Sequence, residues 1–430
     1  DLPINQGDYG SLIVERCGRL VTVIENAKIL AGDEMHLIEN GYIVIEGRVI
    51  RDLGSGKASI QGKKIDAQHT IVMPTFVNAH THVGDSIAKD VGMNLTLDEL
   101  VMPPSGLKHR LLASTPNSEL IEGMRDTAME MLAAGIAIFA DFREGGVDGV
   151  KLLLKAVKDL PIKPTIFGRL GQQPFTESEL DGNEQKLSPT AIKEVKDVLA
   201  LADGISSASA NDFTDPALQQ LREVSSKMLK KRAIHVAESP SSYTMISKRR
   251  TGRSDVKRVL DHFTPDFVVH MTNAEQEDIE LICRRRIPVV CCPRANCRIG
   301  VGFPPIMQIH RKGALVALGT DNVMLNAPDM FEEMDFTSKM IRGLERNPAV
   351  LPPVEVLKMA TINGARLLGV SGSMGSIEAG KFANMIFVDS NSRNLRPMRD
   401  PISSIVHRVR RINIRAVMIE GKVVVGSLSK

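Results

Sequence analysis

The chain contains no tryptophan and only three tyrosines among its 430 residues. Proteins that bind single-stranded nucleic acid stack the bases on aromatic side chains, so this role is poorly supported here. An excess of charge of one sign is also lacking, because 54 Lys and Arg residues nearly balance 51 Asp and Glu residues and leave a net charge of +3. We therefore expect neither nucleic acid nor a membrane surface among the partners.

Cysteines and long apolar runs are scarce as well. The five cysteines are Cys17 and a group of four between Cys283 and Cys297, and their spacing fits neither a disulfide framework nor a structural zinc site. We interpret them as reduced thiols. No apolar run reaches the roughly 18–20 residues that a membrane span requires, and the N-terminal residues lack a signal-peptide pattern. The sequence thus predicts a cytoplasmic protein, and it leaves a homo-oligomer open.

The composition is that of a folded globular protein. Hydrophobic residues make up 43% and charged residues 24% of the chain, which excludes a disordered chain. At roughly 100–200 residues per domain, this length suggests two to four domains, or one large barrel with an appendage.

Both ends of the chain are rich in short β-type runs. Residues 11–72 contain two β-branched runs at 43–45 and 48–50, and the intervening Glu46-Gly47 is typical of a hairpin. The C-terminal region repeats this pattern, with β runs at 384–388, 415–419 and 422–425 and the turn dipeptide Glu420-Gly421. We expect one small β-sandwich domain built from residues 1–70 and 378–430.

The middle of the chain alternates between β runs and helical patterns, which is typical of a parallel α/β sheet. Ser188-Pro189 supplies an N-cap and a first-turn proline for a helix over 191–201, and a second helix is predicted over 118–133. Because eight strands close a barrel of this kind, we predict a (β/α)8 TIM-type barrel over residues 71–377. A doubly wound open sheet is the alternative, but no GxGxxG motif follows the early strands. The eight β runs are residues 71–77, 137–142, 165–167, 204–208, 233–236, 267–269, 288–290 and 315–318.

Histidines and acidic residues follow several of these predicted strands. His80 and His82 come after the first run, His235 and Glu238 lie at the end of the fifth, and His270 and Asp321 follow the sixth and eighth. The carboxyl ends of barrel strands converge on the face where active sites are built. We therefore expect these side chains to meet.

The pair His80 and His82 has the spacing of a metal site. Residues two apart on a strand point to the same side, so both imidazoles can reach one ion. Imidazole binds zinc and iron, and a carboxylate such as Asp321 completes an open site. A single histidine is more often a core or surface residue, but the combination of four histidines and Asp321 at strand ends favours a metal.

The sequence resembles the amidohydrolase superfamily over essentially its whole length. The motifs that carry the resemblance are "PTFVNAHTH", "HVAE", "VVH" and "LGTDN", followed by "ATINGARLLG", "GSIEAGKFANMIFVD" and "VMIEGKVVV". The HxxE spacing of His235 and Glu238 is similar to that of the branch holding cytosine, guanine and S-adenosylhomocysteine deaminases and the triazine chlorohydrolases. That branch typically binds one metal ion, and the predicted fourth strand over 204–208 offers no lysine to bridge a second.

The resemblance implies a role for each matched residue. His80, His82, His235 and Asp321 would bind one divalent ion, Zn²⁺ or Fe²⁺, which lowers the pKa of a bound water. Asp321 would also accept a proton from that water. Glu238 would protonate a ring nitrogen of the substrate, and His270 would hold the water and the developing oxyanion.

The implied activity is hydrolytic deamination of a small molecule: a nucleobase, a nucleoside or a related aminated heterocycle, with release of ammonia. A chlorohydrolase-like or amide hydrolase reaction on the same mononuclear site is the alternative. A metal-free binding or assembly protein is disfavoured, because such a protein is expected to have lost part of the ligand set.

Loops after the strands supply candidate substrate contacts. Arg143, Arg169 and Arg294 follow the second, third and seventh predicted strands, where they can bind an anionic or carbonyl group, or simply form ion pairs. Asn296 in "CPRAN" resembles the family segment CPxSN and is placed near the site. The insertion over 84–118 is a candidate lid. Short basic runs at 108–110, 230–232 and 247–250 are interpreted as solvated helix faces.

Overall fold

The structure, a computed structural model, describes residues 21–428, so Cys17 and residues 11–20 of the predicted β region lie outside it. The described strands are β1 (Val21–Ala31), β2 (His36–Glu46), β3 (Val49–Ser55), β4 (Lys63–Asp66), β5 (Thr70–Pro74), β6 (Phe76–His82), β7 (Ile136–Arg143), β8 (Lys163–Gly168), β9 (Gly204–Ile205), β10 (Lys231–Val236), β11 (Phe267–His270), β12 (Val289–Cys291), β13 (Val316–Leu318), β14 (Asp321–Asn322), β15 (Met385–Asp389), β16 (Ile414–Ile419) and β17 (Lys422–Gly426).

The helices lie mainly between the strands of the middle region. They are α1 (Leu97–Leu100), α2 (Leu107–Ser114), α3 (Asn117–Ala133), α4 (Gly146–Val157), α5 (Glu177–Gly182), α6 (Pro189–Leu201), α7 (Asp215–Lys227), α8 (Ile246–Thr251), α9 (Asp255–Arg258), α10 (Gln276–Arg284), α11 (Pro293–Arg298), α12 (Ile306–Arg311), α13 (Met330–Glu345), α14 (Pro353–Met359), α15 (Ile362–Leu368) and α16 (Pro401–His407). The two predicted helices are confirmed as α3 and α6. The Ser188 hydroxyl accepts the Ala191 N–H at 3.1 Å, as expected for an N-cap.

One eight-stranded sheet is built from both ends of the described chain. Its order is β17-β16-β15-β5-β1-β2-β3, with β4 paired to β1. Both predicted hairpins are present: Gly47 turns between β2 and β3 at φ +64°, and Glu420 and Gly421 turn between β16 and β17 at φ +47° and +77°. Such turns require positive φ, which is why glycine occurs in each.

The predicted first strand, residues 71–77, is divided between two sheets. β5 pairs with β15 in the sheet of the chain ends, whereas β6 begins at Phe76 and carries the two histidines. The chain passes from one sheet to the other between two adjacent residues. The Thr75 N–H bonds to Asn384 O at 3.3 Å, just before β15, whereas the Phe76 N–H bonds to Gly135 O at 2.9 Å, just before β7. An apolar run alone does not indicate which sheet it joins.

The middle region forms a curled parallel sheet of nine strands in the order β13-β12-β11-β10-β9-β8-β7-β6-β14. The predicted eighth strand is present as β13, which pairs with β12, and a further short strand, β14, follows it and pairs with β6. Between them, the Thr320 N–H bonds to the Asn78 side chain at 3.0 Å instead of to a strand. The ladder of the predicted barrel is therefore not closed, and the predicted fourth strand shortens to Gly204–Ile205.

Two other sequence predictions concern thiols and membrane spans. The four described cysteines form no disulfide, and Cys291 and Cys292 are buried. Among residues 21–428, no helix has the length and apolar character needed to cross a bilayer.

Gly319 brings the segment before Asp321 close to the first histidine strand. A Cβ at this position would lie 2.7 Å from His80 Cβ and 2.8 Å from the His80 backbone nitrogen. Because backbone atoms cannot yield, we expect Gly319→Ala to reduce the free energy of unfolding by about 1–3 kcal/mol. Denaturant-induced unfolding measures this. Gly343→Ala is the control, since open space surrounds that helical glycine; unchanged stability in Gly319→Ala would contradict the close packing.

Candidate metal and catalytic site

Four histidines and one aspartate meet where strands of the parallel sheet end. His80 and His82 lie at the end of β6, His235 lies on β10, His270 ends β11 and Asp321 begins β14. Ring centroids are 4.9 Å apart for His80 and His82, 4.9 Å for His80 and His235, and 5.4 Å for His235 and His270. All five side chains are buried. The structure thus brings together the residues that the sequence placed at strand ends.

Backbone carbonyls determine which nitrogens of His82 and His235 carry a proton. His82 Nδ1 lies 3.0 Å from Phe142 O, and His235 Nδ1 lies 2.7 Å from Ser207 O. A carbonyl only accepts, so each Nδ1 is the protonated nitrogen and each Nε2 carries a lone pair. The two Nε2 atoms are only 3.3 Å apart. Two lone pairs that face each other in a buried site require a cation between them.

Asp321 completes the donor set. Its Oδ1 lies 3.2 Å from His80 Nε2 and 3.7 Å from His82 Nε2, and its Oδ2 has no hydrogen-bond partner within the described chain. Burial raises the Asp321 pKa, but the contact with His80 and the charges of the neighbouring imidazoles outweigh it, so the net pKa is below its ordinary value. Burial lowers the pKa of His80 to about 3, and burial with the other imidazoles holds that of His235 well below its usual range.

These residues fit a divalent metal ion. Neutral imidazoles and an ionised carboxylate are the forms that bind zinc. Two Zn–N bonds of about 2.0–2.1 Å at a tetrahedral angle span about 3.3 Å, which agrees with the separation of 3.3 Å between the two Nε2 atoms. The unpartnered Asp321 Oδ2 is a buried acceptor that a cation would satisfy.

Distances alone permit other ligand sets. The ligand atoms of His80, His235 and His270 lie within 4.8 Å of one another, and so do those of His80, Cys292 and Asp321. Burial raises the pKa of the Cys292 thiol well above its ordinary value. A thiol that keeps its proton is a poor ligand, since the thiolate is the metal-binding form.

Glu238 lies beside this cluster with a raised proton affinity. Its Oε2 accepts a hydrogen bond from the Tyr243 hydroxyl at 2.7 Å and lies 3.6 Å from His270 Nε2. Burial raises the pKa of Glu238. A carboxyl group whose pKa is raised holds its proton more readily, which suits it to proton transfer. Sequence reasoning missed Tyr243; the available signal was a rare tyrosine five residues after Glu238.

The backbone at the site is held in unfavourable conformations. Ala237, His270 and Asp321 have φ values of +46°, +78° and +62°, each at a cost of about 1–3 kcal/mol for residues other than glycine. The turn at Ala237 is held from both sides: its N–H bonds to Asp255 Oδ2 at 2.7 Å, and its carbonyl accepts the Asn273 N–H at 2.7 Å. This turn aims Glu238 at the histidines.

A buried network of charges lies behind His82. Glu144 Oε1 lies 2.9 Å from His82 Nδ1 and 2.6 Å from Lys108 Nζ, and Oε2 lies 2.9 Å from Arg143. Lys108 is 2% exposed, so the interpretation of residues 108–110 as a solvated face is wrong for this residue. Lys108 comes from the insertion, and nothing in a three-residue basic run indicates that one member turns inward.

Two neighbouring cavities open onto this region. A small cavity of about 30 Å³ is lined by the histidine cluster, and a larger one of about 460 Å³ lies beside it. Glu144 and Arg169 line both. Met102 and Lys108 of the insertion line the small cavity, and Pro103 and His109 line the large one, so the predicted lid segment covers the site.

The predicted substrate contacts differ in their placement. Arg169 lines both cavities, and Arg143 lines the larger one while paired with Glu144. Arg294 lines neither of these two cavities, and its guanidinium pairs with Glu332. Asn296 is buried and contacts His270, with its Nδ2 3.1 Å from His270 Nδ1.

The ion pair of Lys108 and Glu144 can be tested by removing the cation. Lys108→Met leaves a buried carboxylate with fewer partners, and we expect the free energy of unfolding to fall by about 3 kcal/mol. Lys193→Met is a matched control, because Lys193 and Asp197 are also 2.6 Å apart but exposed; no measurable change is expected. Urea unfolding measures the change in the free energy of unfolding for both variants. If Lys108→Met reduced the free energy of unfolding no more than Lys193→Met, the buried network would not contribute to stability.

Sequence and structure comparisons agree with one another. The sequence model of the amidohydrolase family matches residues 71–424. A Methanothermobacter thermautotrophicus protein that carries the name aminohydrolase is 40% identical over 403 residues, covering 94% of this chain and 98% of its own. A 5-methylthioadenosine/S-adenosylhomocysteine deaminase from Caldanaerobacter subterraneus subsp. tengcongensis is 26% identical over 420 residues, covering 94% of this chain and 92% of its own.

A solved structure shares the fold. An adenosine deaminase from Xanthomonas campestris with bound zinc superposes with a TM-score of 0.81 at 20% identity, over 94% of this chain and 93% of its own. From the family match and the 40% identical relative, it follows that the chain belongs to the amidohydrolase family.

Proposed function

We propose that the protein is a metal-dependent hydrolytic deaminase of a nucleobase, nucleoside or related aminated heterocycle, which it converts to the oxo compound with release of ammonia. The observation that carries this proposal is the pair of Nε2 lone pairs of His82 and His235, 3.3 Å apart, with Asp321 and Glu238 beside them. Family membership and the deaminase relative support it.

One divalent ion is held by His80, His82, His235 and Asp321 in this proposal. Zinc is favoured, because three nitrogens and one carboxylate are a usual zinc donor set and the adenosine deaminase neighbour contains zinc; iron is the alternative. When bound, the ion lowers the pKa of water and so supplies a nucleophile near neutral pH. Strand β9, Gly204–Ile205, carries no lysine that could bridge a second ion.

The remaining groups move protons and stabilise charge. Asp321 accepts a proton from the attacking water. Glu238 donates its proton to a ring nitrogen of the substrate, takes up the second proton of the attacking water and delivers it to the departing amine, while the Tyr243 hydroxyl orients it. The proton held by Asp321 then restores Glu238. His270 lies on the other side of Glu238 and donates a hydrogen bond to the oxygen on which negative charge develops.

The substrate occupies the larger cavity and reaches the metal site past Glu144 and Arg169. A cavity of about 460 Å³ is within the usual range for small-molecule sites and is large enough for a nucleoside. Among residues 21–428, Arg169 forms an ion pair with Glu144 at 3.6 Å but no hydrogen bond, so its donors are available. Arg143 and Arg294 are already paired with carboxylates, which makes Arg169 the favoured substrate contact.

We further propose that the fold is a (β/α)8 TIM-type barrel, with β13 and β14 together in the place of the eighth strand, and a β-sandwich of both chain ends. The pairing of β13 with β12 and of β14 with β6 supports this arrangement, because the two short strands lie at opposite edges of the curled sheet and adjoin in the chain. A second hydrophobic core, which includes Ile43 and Phe387, supports the sandwich. The proposed division is 1–70, 71–377 and 378–430, and residues 70–74 add one strand to the sandwich sheet.

We propose a cytoplasmic location, supported by the free thiols of the four described cysteines.

The activity is tested by loading the protein with zinc and measuring ammonia release from purines, pyrimidines, adenine nucleosides, pterins and triazines. Mass spectrometry of the product distinguishes the reactions, since deamination replaces an amine by oxygen, whereas the alternative hydrolase reaction releases chloride or another group. Bound zinc without ammonia release from any of these compounds would overturn the deaminase assignment.

Glu238→Gln keeps the size of the side chain but removes its proton transfer. We expect kcat to fall by about 10²–10⁴-fold, with the metal content unchanged, because Glu238 is not a proposed ligand. Glu277→Gln, an exposed glutamate, is the control. Steady-state kinetics and elemental analysis check both variants; a fully active Glu238→Gln would remove Glu238 from the mechanism.

His80→Asn removes one proposed metal ligand. We expect metal content and activity to fall together, because the remaining donors no longer complete the coordination. His36→Asn is the control, since His36 lies exposed on β2. Elemental analysis of protein dialysed against a weak chelator measures the outcome. Full metal occupancy in His80→Asn would contradict the ligand assignment.

A further inference from the structure

His270 lies between a hydrogen-bond donor and a carboxylate. Its ring is 1% exposed. Asn296 Nδ2 lies 3.1 Å from Nδ1 of the ring, and Glu238 Oε2 lies 3.6 Å from Nε2. An amide nitrogen can only donate, so Nδ1 must offer a lone pair and the neutral ring carries its proton on Nε2.

Asn296 is itself held in place. Its side chain is fully buried, and its Oδ1 accepts a hydrogen bond from Thr272 Oγ1 at 3.0 Å. The backbone is fixed within and after α11, since the Asn296 N–H bonds to Cys292 O at 3.0 Å and the Asn296 carbonyl accepts the Val301 N–H at 3.1 Å. The amide therefore presents its nitrogen to His270 from a rigid support.

Two of the other three imidazoles, those of His82 and His235, have the opposite arrangement. His82 and His235 donate from Nδ1 to backbone carbonyls and keep a lone pair on Nε2. The ligand atoms of His80, His235 and His270 lie within 4.8 Å of one another, so distance does not exclude His270 from the metal. The position of the proton excludes His270 from the metal, because a nitrogen that carries hydrogen cannot bind an ion.

We propose that Asn296 is a positioning residue that fixes the proton of His270 on Nε2. This keeps His270 out of the ligand set and leaves an N–H directed at the reacting oxygen. The inference rests on the proposed function for its catalytic consequence, but the location of the proton can be measured without any substrate. A reversed Asn296 amide would present its oxygen to Nδ1 and turn the Nε2 lone pair toward the Glu238 carboxylate.

The test is the tautomer of His270 in zinc-loaded protein labelled with ¹⁵N-histidine. Long-range ¹H–¹⁵N correlation spectra identify the protonated nitrogen of each ring, and loss of one set of signals in His270→Gln assigns His270. In the unsubstituted protein we expect the proton on Nε2. A proton on Nδ1 would overturn the proposal without the need for any variant at position 296.

Asn296→Asp replaces the donor by an acceptor of the same size. We expect the His270 proton to move to Nδ1, or Nδ1 to become protonated in addition, and kcat to fall by at least about tenfold while KM changes little, as for an interaction made in the transition state. Retention of hydrogen on Nε2 alone in Asn296→Asp would overturn the proposal, because the amide nitrogen of Asn296 would then not determine the tautomer.

Asn413→Asp is the matched control for placing a carboxylate at a buried asparagine. Asn413 is 3% exposed and bonds to Arg410 and Asn394 at 2.9 Å each, away from the site. The His270 tautomer and kcat should be unchanged in it. If Asn296→Asp shifts the tautomer while the unsubstituted protein deaminates no compound, the proposed function fails and the role of Asn296 stands.

Discussion

The site depends on two hydrogen bonds from imidazoles to the main chain. Phe142 O on β7 and Ser207 O after β9 each accept the Nδ1 proton of a histidine on another strand. They thereby turn the Nε2 lone pairs of His82 and His235 toward one point. Because main-chain atoms supply these two acceptors, the two rings are oriented before any ion arrives. The electrostatic demand for a cation is a consequence of the fold itself.

The conformation that creates this demand is unfavourable, and the surrounding structure offsets its cost. Ala237, His270 and Asp321 hold positive φ angles at three strand ends. Buried charges behind His82 add a desolvation cost that only their mutual pairing compensates. Backbone strain and buried charge are therefore both present at the site, as expected where function and stability compete.

Local sequence patterns predicted the features that depend on neighbouring residues. The two-residue spacing of His80 and His82 implied a shared direction, Ser188-Pro189 marked the start of α6, and Glu46-Gly47 marked a hairpin. Features that depend on distant contacts were not predictable. The uniformly apolar run over 71–77 carries no information about two sheets, and its division depends on pairing with β15, some 300 residues away. The inward turn of Lys108 likewise depends on Glu144, a residue on another segment.

Proton positions, more than distances, distinguish the roles of side chains in this cluster. His235, His270 and Cys292 all lie near enough to His80 to join a common coordination sphere. Each has a different partner. A carbonyl oxygen accepts the Nδ1 proton of His235 and leaves its Nε2 unprotonated, whereas an amide nitrogen donates to Nδ1 of His270 and leaves its Nε2 protonated. Burial keeps the thiol of Cys292 protonated. Three groups of similar proximity are therefore distinguished by the atom that each one meets on its far side, which favours His235 as a ligand and His270 as a hydrogen-bond donor in the proposed site.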